Sequence, residues 1–457
     1  MPAPRRRKKK SRPTPMRAGN MAANSPELEL TIDHLGARGD GVSSAEFGDK
    51  HFRKSRPVFV PFTLPGEHVR AKPIADRGEG VATELREILN ASEDRIEPIC
   101  GHFLACGGCS LQHMKEETYQ VFKVSILHQA LQRVGLVDVP LHPLQQSPTG
   151  SRRRSALAAR RLKDKVILGF HERESNRIID VQECPVSRDE IVSLLPKLRI
   201  LLGDTLQEGQ ACDLTITVLE GGLDVALVLP EEPDLDRRES YSSFADENDL
   251  ARLSYRMRED AADDMRPLAA RRDAVLKVGD FSVSPAPGGF LQATGEGERA
   301  LQQVVAAALD GAGKALDLFS GVGTFSLLMA EKAQVLALDG DASATSSLRR
   351  AADRAGLGDR LRTECRDLFS RPLEAHELEG YGLAVFDPPR AGAKEQTVRL
   401  AQSQIPTIVA ISCNPSTFAR DARLLVDGGY ELVEVWPVDQ FLWSPHIELA
   451  ALFRKSG

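Results

Sequence analysis

Three short stretches place reactive groups where chemistry could use them. The apolar run Thr407-Ile-Val-Ala-Ile411 leads into Ser412-Cys413-Asn414-Pro415-Ser416-Thr417. A thiol at the tip of a strand is accessible and is a candidate nucleophile; the plainer alternative is a packed thiol. Glu448 lies in the otherwise apolar run from Trp443 to Phe453, where burial would raise its pKa toward general acid or base duty; its alternative is a salt-bridged core carboxylate. The strand Leu383-Ala-Val-Phe386 ends in Asp387-Pro388-Pro389-Arg390, a rigid acidic shelf. Sulfur forms a separate cluster. Cys100, Cys106 and Cys109 share a Gly-rich loop, and Cys184-Pro185 follows. Four soft ligands suit zinc or an iron–sulfur cluster, against the alternative of buried thiols without metal. Cys212 and Cys365 stand alone and read as ordinary packing.

The elements that must position these groups begin at about residue 281, where apolar strands alternate with helices. This pattern predicts a parallel sheet with helices on both faces, which binds ligands at the carboxyl ends of its strands. The clearest unit is an apolar strand from Lys314 to Ser320 that includes Asp317, the turn Gly321-Val322-Gly323, a helix from Thr324 to Ala330, and a second strand ending in Asp339. An acid there is placed to bond ribose hydroxyls. Ser326 stands where a dinucleotide site usually wants a third Gly or Ala, so the unit favours S-adenosylmethionine, which has no pyrophosphate to seat on a helix N-terminus. A tight turn without a ligand is the plainer reading of the glycines.

At 457 residues, with 42% hydrophobic and 27% charged residues, the chain is multidomain and globular. No apolar run approaches the roughly 20 residues of a membrane span, and no signal peptide is evident, so a cytoplasmic location without membrane association is expected. Positions 1–17 carry eight Lys or Arg and no acid; this tail is either an arm for nucleic-acid phosphates or a solubilising extension. From Glu27 to about Asn90, short alternating runs punctuated by glycine predict a small antiparallel barrel of the oligonucleotide-binding type. Ser151-Arg152-Arg153-Arg154-Ser155 reads as strand residues that could hold phosphates, or as a solvated edge. Glu231 to Met265, with twelve acids against five Arg, reads as a solvated face or loop.

Asp317-Leu-Phe-Ser-Gly-Val-Gly, Asp387-Pro-Pro-Arg, Ser412-Cys-Asn-Pro and His446-Ile-Glu448, in that order, resemble the RNA 5-methyluridine methyltransferases. The four cysteines resemble the iron–sulfur branch that acts mainly on ribosomal RNA. The resemblance covers nearly the whole chain. It implies a basic tail at 1–25, a TRAM-type RNA-binding barrel at 26–91, a mixed α+β central domain at 92–280 with a [4Fe-4S] cluster on Cys100, Cys106, Cys109 and Cys184, and a Rossmann-like S-adenosylmethionine-dependent catalytic domain at 281–457. It further implies Cys413 as the nucleophile at uracil carbon 6 and Glu448 as the base that removes the carbon-5 proton. Asp387 would orient the uracil edge, with Gln292, Phe319, Gly321, Gly323 and Asp339 on the cofactor side. The expected substrate is RNA, ribosomal rather than transfer, and the expected state is a monomer. The chain has Thr294 and Thr324 where this family often has Asn, and Asp339 where it commonly has Glu. The usual Asp-x-Phe-Pro-x-Thr reads Asp439-Gln-Phe441-Leu-Trp-Ser-Pro445. Three other readings fit part of the pattern: an RNA 5-methylcytosine methyltransferase, whose nucleophile would sit in the Asp-Pro-Pro motif that here lacks Cys; a nicotinamide oxidoreductase with an iron–sulfur centre, against which Ser326 stands; and a non-catalytic RNA-binding assembly factor.

Overall fold

The computed structural model describes residues 19–20, 25–48, 53–261 and 263–456; the basic run at 1–17 lies outside them. The chain divides into two compact units, one of residues 1–97 and 110–118, the other of 98–109 and 119–457. No helix among the described residues is long and apolar enough to cross a membrane.

The first unit holds a seven-stranded, largely antiparallel sheet built from Gly19–Asn20 through Val81–Asn90. Alternate residues of its strands, among them Leu30, Val58, Val60, Val69 and Ala71, form its core. Glu67 is a buried polar anchor of the unit. Its carboxylate accepts the N–H of Leu64 at 2.8 Å and two donors of Arg95 at 2.6 and 2.8 Å. These bonds compensate the burial, and Arg95 and the backbone donors hold the Glu67 carboxyl below its usual range.

The second unit contains two large sheets. One has six strands in the order 166–169, 154–161, 211–219, 222–229, 252–257, 266–270. The helices Asp189–Thr205 and Leu235–Glu247 supply Leu194, Leu198, Leu202, Tyr241 and Phe244 to its core. The acidic stretch from Glu231 is therefore not a plain loop, since it carries the second of these helices and the strand Arg252–Met257. Its charge is neutralised locally, with Arg237 on Glu231 and Arg266 on Glu232 and Asp260, and Tyr241, Phe244 and Ala245 of its helix face inward.

The other sheet has eight strands, ordered 361–365, 334–339, 314–318, 383–386, 407–412, 448–455, 430–439, 145–146. Its first five strands are parallel and Glu448–Lys455 is antiparallel to its neighbours. Strand residues alternate between two cores. Leu383, Val385, Val409 and Ile411 pack with Leu301, Leu327 and Leu348 of the helices on one face. Ala384, Phe386, Ile408 and Ala410 pack with Leu127, Leu400, Phe418 and Leu425 on the other. This double burial explains the unbroken apolar runs. The predicted sequence of strands and helices is present, with shorter limits for the first strand, Lys314–Leu318, and for the helix after the glycines, which starts at Ser326; a further helix runs Glu116–Arg133.

That helix carries a buried charge. Lys123 is fully buried and its Nζ lies 2.8 Å from Asp439 Oδ1, an equally buried carboxylate. Lys123 Nζ also donates to the carbonyls of Ser444, at 2.9 Å, and His446, while Tyr119 Oη donates to Asp439 and accepts the N–H of Trp443 at 2.9 Å. The bend from Asp439 to His446, with Trp443 at φ 56°, is thus tied to one helix just ahead of Glu448. Removing one partner of a buried pair leaves a charge or carbonyls without compensation, so Lys123→Met is expected to cost about 3–5 kcal/mol in urea denaturation. The double variant with Asp439→Asn is expected to lose clearly less than the two single losses combined.

Candidate active site

The carboxyl ends of the parallel strands converge on a cavity of about 550 Å³, within the range of small-molecule sites. It lies where the strand order reverses, between Lys314–Leu318 and Leu383–Phe386, the place where open α/β sheets bind ligands. Phe319, Gly321, Asp339, Asp387, Cys413, Glu448 and Gln292 all line it, so seven of the eight residues expected for the reaction meet in one space. Gly323 stands behind the wall. A Cβ there would approach Leu348 to 2.2 Å at φ 97°, so its requirement for glycine comes from helix packing.

The glycine turn is braced by the acid of the next strand. Asp339 accepts the N–H groups of Gly321 and Asp341, both at 2.8 Å. Phe319 and Gly321 take left-handed φ of 63° and 53°, which turns the chain sharply out of the strand. Asp341 then caps the helix Ala342–Arg354 through the N–H groups of Ser343 and Ala344. Below the turn, Asp317 is fully buried; Ser326 donates to its Oδ2, while its Oδ1 has no hydrogen-bond partner among the described residues. Burial, with Asp387 and Asp339 nearby, pushes the Asp317 carboxyl up to about 7.

The thiol and the carboxylate are brought together by strand polarity. Cys413 follows the end of a parallel strand, and Glu448 begins the antiparallel strand beside it, with Ser412 opposite Leu449. A further parallel strand would have put its first residue at the other end of the sheet. Asn414 fixes the Cys413 tip. Its side chain caps the helix Pro415–Asp427 by accepting the N–H of Ser416 at 3.1 Å, and its amide donates to the Arg390 carbonyl at 2.9 Å. Pro415 suits the first helical position because its missing N–H is not needed there. The Cys413 and Asp387 loops are thereby locked to each other.

The cavity gathers acids, among them the buried Glu448. Burial, then the charge of Asp387, pushes the Glu448 carboxyl well above its ordinary value. Burial, then Asp339, pushes Asp387 up to about 7, although the Gln292 amide, donating at 2.9 Å, opposes the rise. Burial, Glu448 and Asp387 push the Cys413 thiol up to about 11, with Arg390 acting the other way. These groups cannot all ionise together, so each proton removed raises the others. Arg390 Nη2 lies 3.2 Å from His446 Nδ1. Burial and the surrounding cations push His446 down to about 4, so its ring is neutral and Nδ1 can accept from Arg390.

The arginine stretch expected to hold phosphates is largely committed elsewhere. Arg153 is buried on Glu298 and donates to the Gln292 carbonyl at 3.0 Å; Arg154 donates to the carbonyls of Gly288 and Gly289, both at 3.0 Å. Arg152 lines the cavity and lies over the Phe441 ring at 5.9 Å. Thr294, in place of the expected Asn, caps the helix Gly295–Ala308 by accepting the N–H of Gly297. Sequence reasoning missed Arg390, Phe441 and Gln440 as parts of this site; their signal was position within motifs already quoted.

The four cysteines of the expected cluster are partly exposed. Burial is the largest influence raising the thiols of Cys100 and Cys106, and the charge of Cys184 adds to it on both; Cys184 and Cys109 both act on Arg152. The sulfurs therefore share one neighbourhood, although no group of three or more His, Cys, Asp or Glu residues forms an ion-holding site among the described residues. Gly107 permits the loop's close pass, since a Cβ there would lie 2.8 Å from the His171 carbonyl. Cys212 is buried as expected, whereas Cys365 is exposed at a strand end, a correction to its reading as packed.

A doubly wound sheet with a braced glycine turn and a cavity at its switch point defines an S-adenosylmethionine-dependent methyltransferase domain. Residues 363–456 match the family model described as tRNA (Uracil-5-)-methyltransferase. The chain is 42% identical to an RNA methyltransferase of Mesorhizobium japonicum, over 93% of this chain and 98% of that protein. It is 30% identical to the 23S rRNA (uracil(1939)-C(5))-methyltransferase of Aeromonas salmonicida, over 94% of this chain and 96% of that one. It shares its fold with the Pyrococcus abyssi tRNA (uracil-54, C5)-methyltransferase solved with S-adenosyl-L-homocysteine, at a TM-score of 0.71 and 22% identity, over 93% of this chain and 100% of that one. The chain belongs to the S-adenosylmethionine-dependent RNA (uracil-5-)-methyltransferases.

Two expectations follow from the electrostatics. Alkylation of Cys413 by iodoacetamide, followed by peptide mass spectrometry, is expected to accelerate with pH toward a midpoint near 11, and Glu448→Gln is expected to move that midpoint down by removing a neighbouring negative charge. Because the folded Glu448 carboxyl titrates above its unfolded value, it costs stability that is absent in acid and grows as pH rises from the unfolded toward the folded pKa. Glu448→Gln is therefore expected to raise the melting temperature at pH 8 and to change it little at pH 4.

Proposed function

We propose that the protein methylates carbon 5 of a uridine in RNA through a covalent adduct with Cys413. The observation that carries this reading is the meeting of Cys413, Glu448 and Asp387 around one cavity beside the glycine turn. Uracil carbon 5 is too weakly nucleophilic to take a methyl group from a sulfonium unaided. The Cys413 thiolate adds to carbon 6, giving an enolate with electron density at carbon 5. Carbon 5 takes the methyl group from S-adenosylmethionine, which leaves as S-adenosylhomocysteine. Glu448, ionised, removes the carbon-5 proton, and the thiolate departs by elimination, restoring the aromatic ring and the enzyme.

The site's electrostatics suit this order. A thiol held near 11 needs help to ionise, and the nearby Arg390 favours its thiolate. A base whose pKa is raised by burial holds the abstracted proton well. Asp387 would face the base edge, and Gln292, expected on the cofactor side, is reassigned to that edge because its amide bonds Asp387; Asp339, Phe319 and Gly321 would take the cofactor's nucleoside. The A. salmonicida relative supports ribosomal RNA as the substrate.

The N-terminal sheet is read as the TRAM-type RNA-binding barrel of residues 26–91, ahead of a central domain at 92–280 and the catalytic domain at 281–457. Cys100, Cys106, Cys109 and Cys184 would hold a [4Fe-4S] cluster. An all-sulfur donor set without imidazole or carboxylate fits iron and sulfide better than a hard cation. The cluster would brace the loops next to Arg152, and no reaction step passes through it.

With RNA from cells lacking the protein and labelled S-adenosylmethionine, 5-methyluridine is the expected product by nucleoside mass spectrometry; 5-methylcytidine instead would reassign the base. Cys413→Ala is expected to abolish turnover while RNA binding survives, and appreciable residual turnover would remove Cys413 as nucleophile. Glu448→Gln is expected to accumulate a protein–RNA adduct on denaturing gels. Protein purified without oxygen is expected to be brown, with about four irons and four sulfides per chain; one zinc without sulfide would contradict the cluster.

A further inference from the structure

Asp387 and Gln292 meet the cavity as a pair, and a third side chain dictates which way the Gln292 amide points. Gln440 is buried in the bend after the strand Tyr430–Asp439. The backbone N–H of Thr294 lies 3.3 Å from Gln440 Oε1, Gln440 Nε2 lies 2.8 Å from Gln292 Oε1, and Gln292 Nε2 lies 2.9 Å from Asp387 Oδ2. The orientation of both amides follows from chemistry. A backbone N–H can only donate, so the Gln440 oxygen must face Thr294 and its NH2 must face Gln292. The Gln292 oxygen must then face Gln440, which turns its NH2 toward Asp387. One N–H reaches Asp387, and since Gln292 and Asp387 both line the cavity, the second is the donor available to a ligand there.

The fold reserves room for this chain of bonds. Gly297 lies in the first turn of the helix that Thr294 caps, and a Cβ there would meet Gln440 Cγ at 2.2 Å and Cδ at 2.6 Å. Phe441, the next residue, lines the cavity wall.

We propose that Gln440 is a positioning residue for base selection: it locks the Gln292 amide so that the cavity presents an N–H donor beside a carboxylate acceptor. That pair matches the O4 acceptor and N3–H donor of uracil. Cytosine presents the inverse, an amino donor beside an N3 acceptor, and is rejected because buried polar groups would face like groups. The Gln292 donor also opposes the rise that burial imposes on the Asp387 carboxyl, which favours its acceptor form; without that donor Asp387 holds its proton more readily and becomes an O–H donor suited to cytosine N3. The inference rests on the reading that Asp387 and Gln292 meet the target base.

The test compares full-length wild type with Gln440→Met and Gly297→Ala, using RNA from cells lacking the protein and quantifying 5-methyluridine and 5-methylcytidine together. Gln440→Met keeps the volume and removes the lock; Gly297→Ala keeps every polar atom and displaces it. Both are expected to lower the ratio of 5-methyluridine to 5-methylcytidine, and kcat/KM for RNA, by about tenfold. KM for S-adenosylmethionine is expected to stay within about twofold of wild type. Gln440→Glu, which keeps the acceptor for Thr294 but cannot donate when ionised, carries the same expectation and stands in if the Met variant does not fold. An unchanged product ratio in the folded variants, with or without a uniform loss of rate, would overturn the proposal. If the wild type itself makes no 5-methyluridine, it is the underlying functional reading that fails.

Discussion

The catalytic unit is organised around the cost of keeping acids out of water. Asp317, Asp387 and Glu448 are drawn into a desolvated space with the Cys413 thiol, and burial is the leading influence on each. An isolated carboxylate in such a place would stay protonated or destabilise the fold. Here the cost is offset unequally. Asp339 takes two backbone donors, Asp387 one amide donor, and Asp317 one hydroxyl. For Glu448 the leading influences both raise its pKa. The group with the least compensation is the one proposed to accept a proton, so the same imbalance that weakens the fold sets the acid–base character of the site.

Holding that imbalance requires rigid surroundings, and the rigidity comes from polar bonds between distant segments. Asn414 joins the Cys413 tip to the Asp387 loop. Lys123 and Tyr119 of one helix hold the bend from Asp439 to His446. The Lys123–Asp439 pair is dry, and burial lowers the Lys123 pKa while Asp439 sustains its charge. Such pairs contribute little net stability relative to apolar packing but are sensitive to register. This one acts at the entry to the Glu448 strand, where a shift of one residue would turn the carboxylate to the other face of the sheet.

What the sequence made legible follows from how local each feature is. The glycine turn, Asp339, the acid-and-proline shelf and the Cys413 tip are each written within a few residues, because strand ends and helix caps have local signatures. The position of Glu448 beside Cys413 was visible only as a carboxylate in an apolar run, since it depends on the strand being antiparallel, a property of the whole sheet. Arg153 misled because its partner Glu298 lies 145 residues away. The stretch from Glu231 misled because charge density hid a helix whose apolar face is only Tyr241, Phe244 and Ala245.

Gln440 is the furthest case of this kind. Its partner Gln292 is 148 residues distant, and neither residue announces by type that it fixes the direction of the other. The departures of the chain nevertheless cohere there. Thr294 caps its helix with a hydroxyl and lends its backbone N–H to Gln440, while Gly297 clears the space that Gln440 fills. A long apolar side chain at position 440 could fill the same volume but would have no amide to pass direction along. Changes that look like separate losses of a motif in the sequence are, in the structure, neighbouring parts of one hydrogen-bonded chain ending on the carboxylate that faces the cavity.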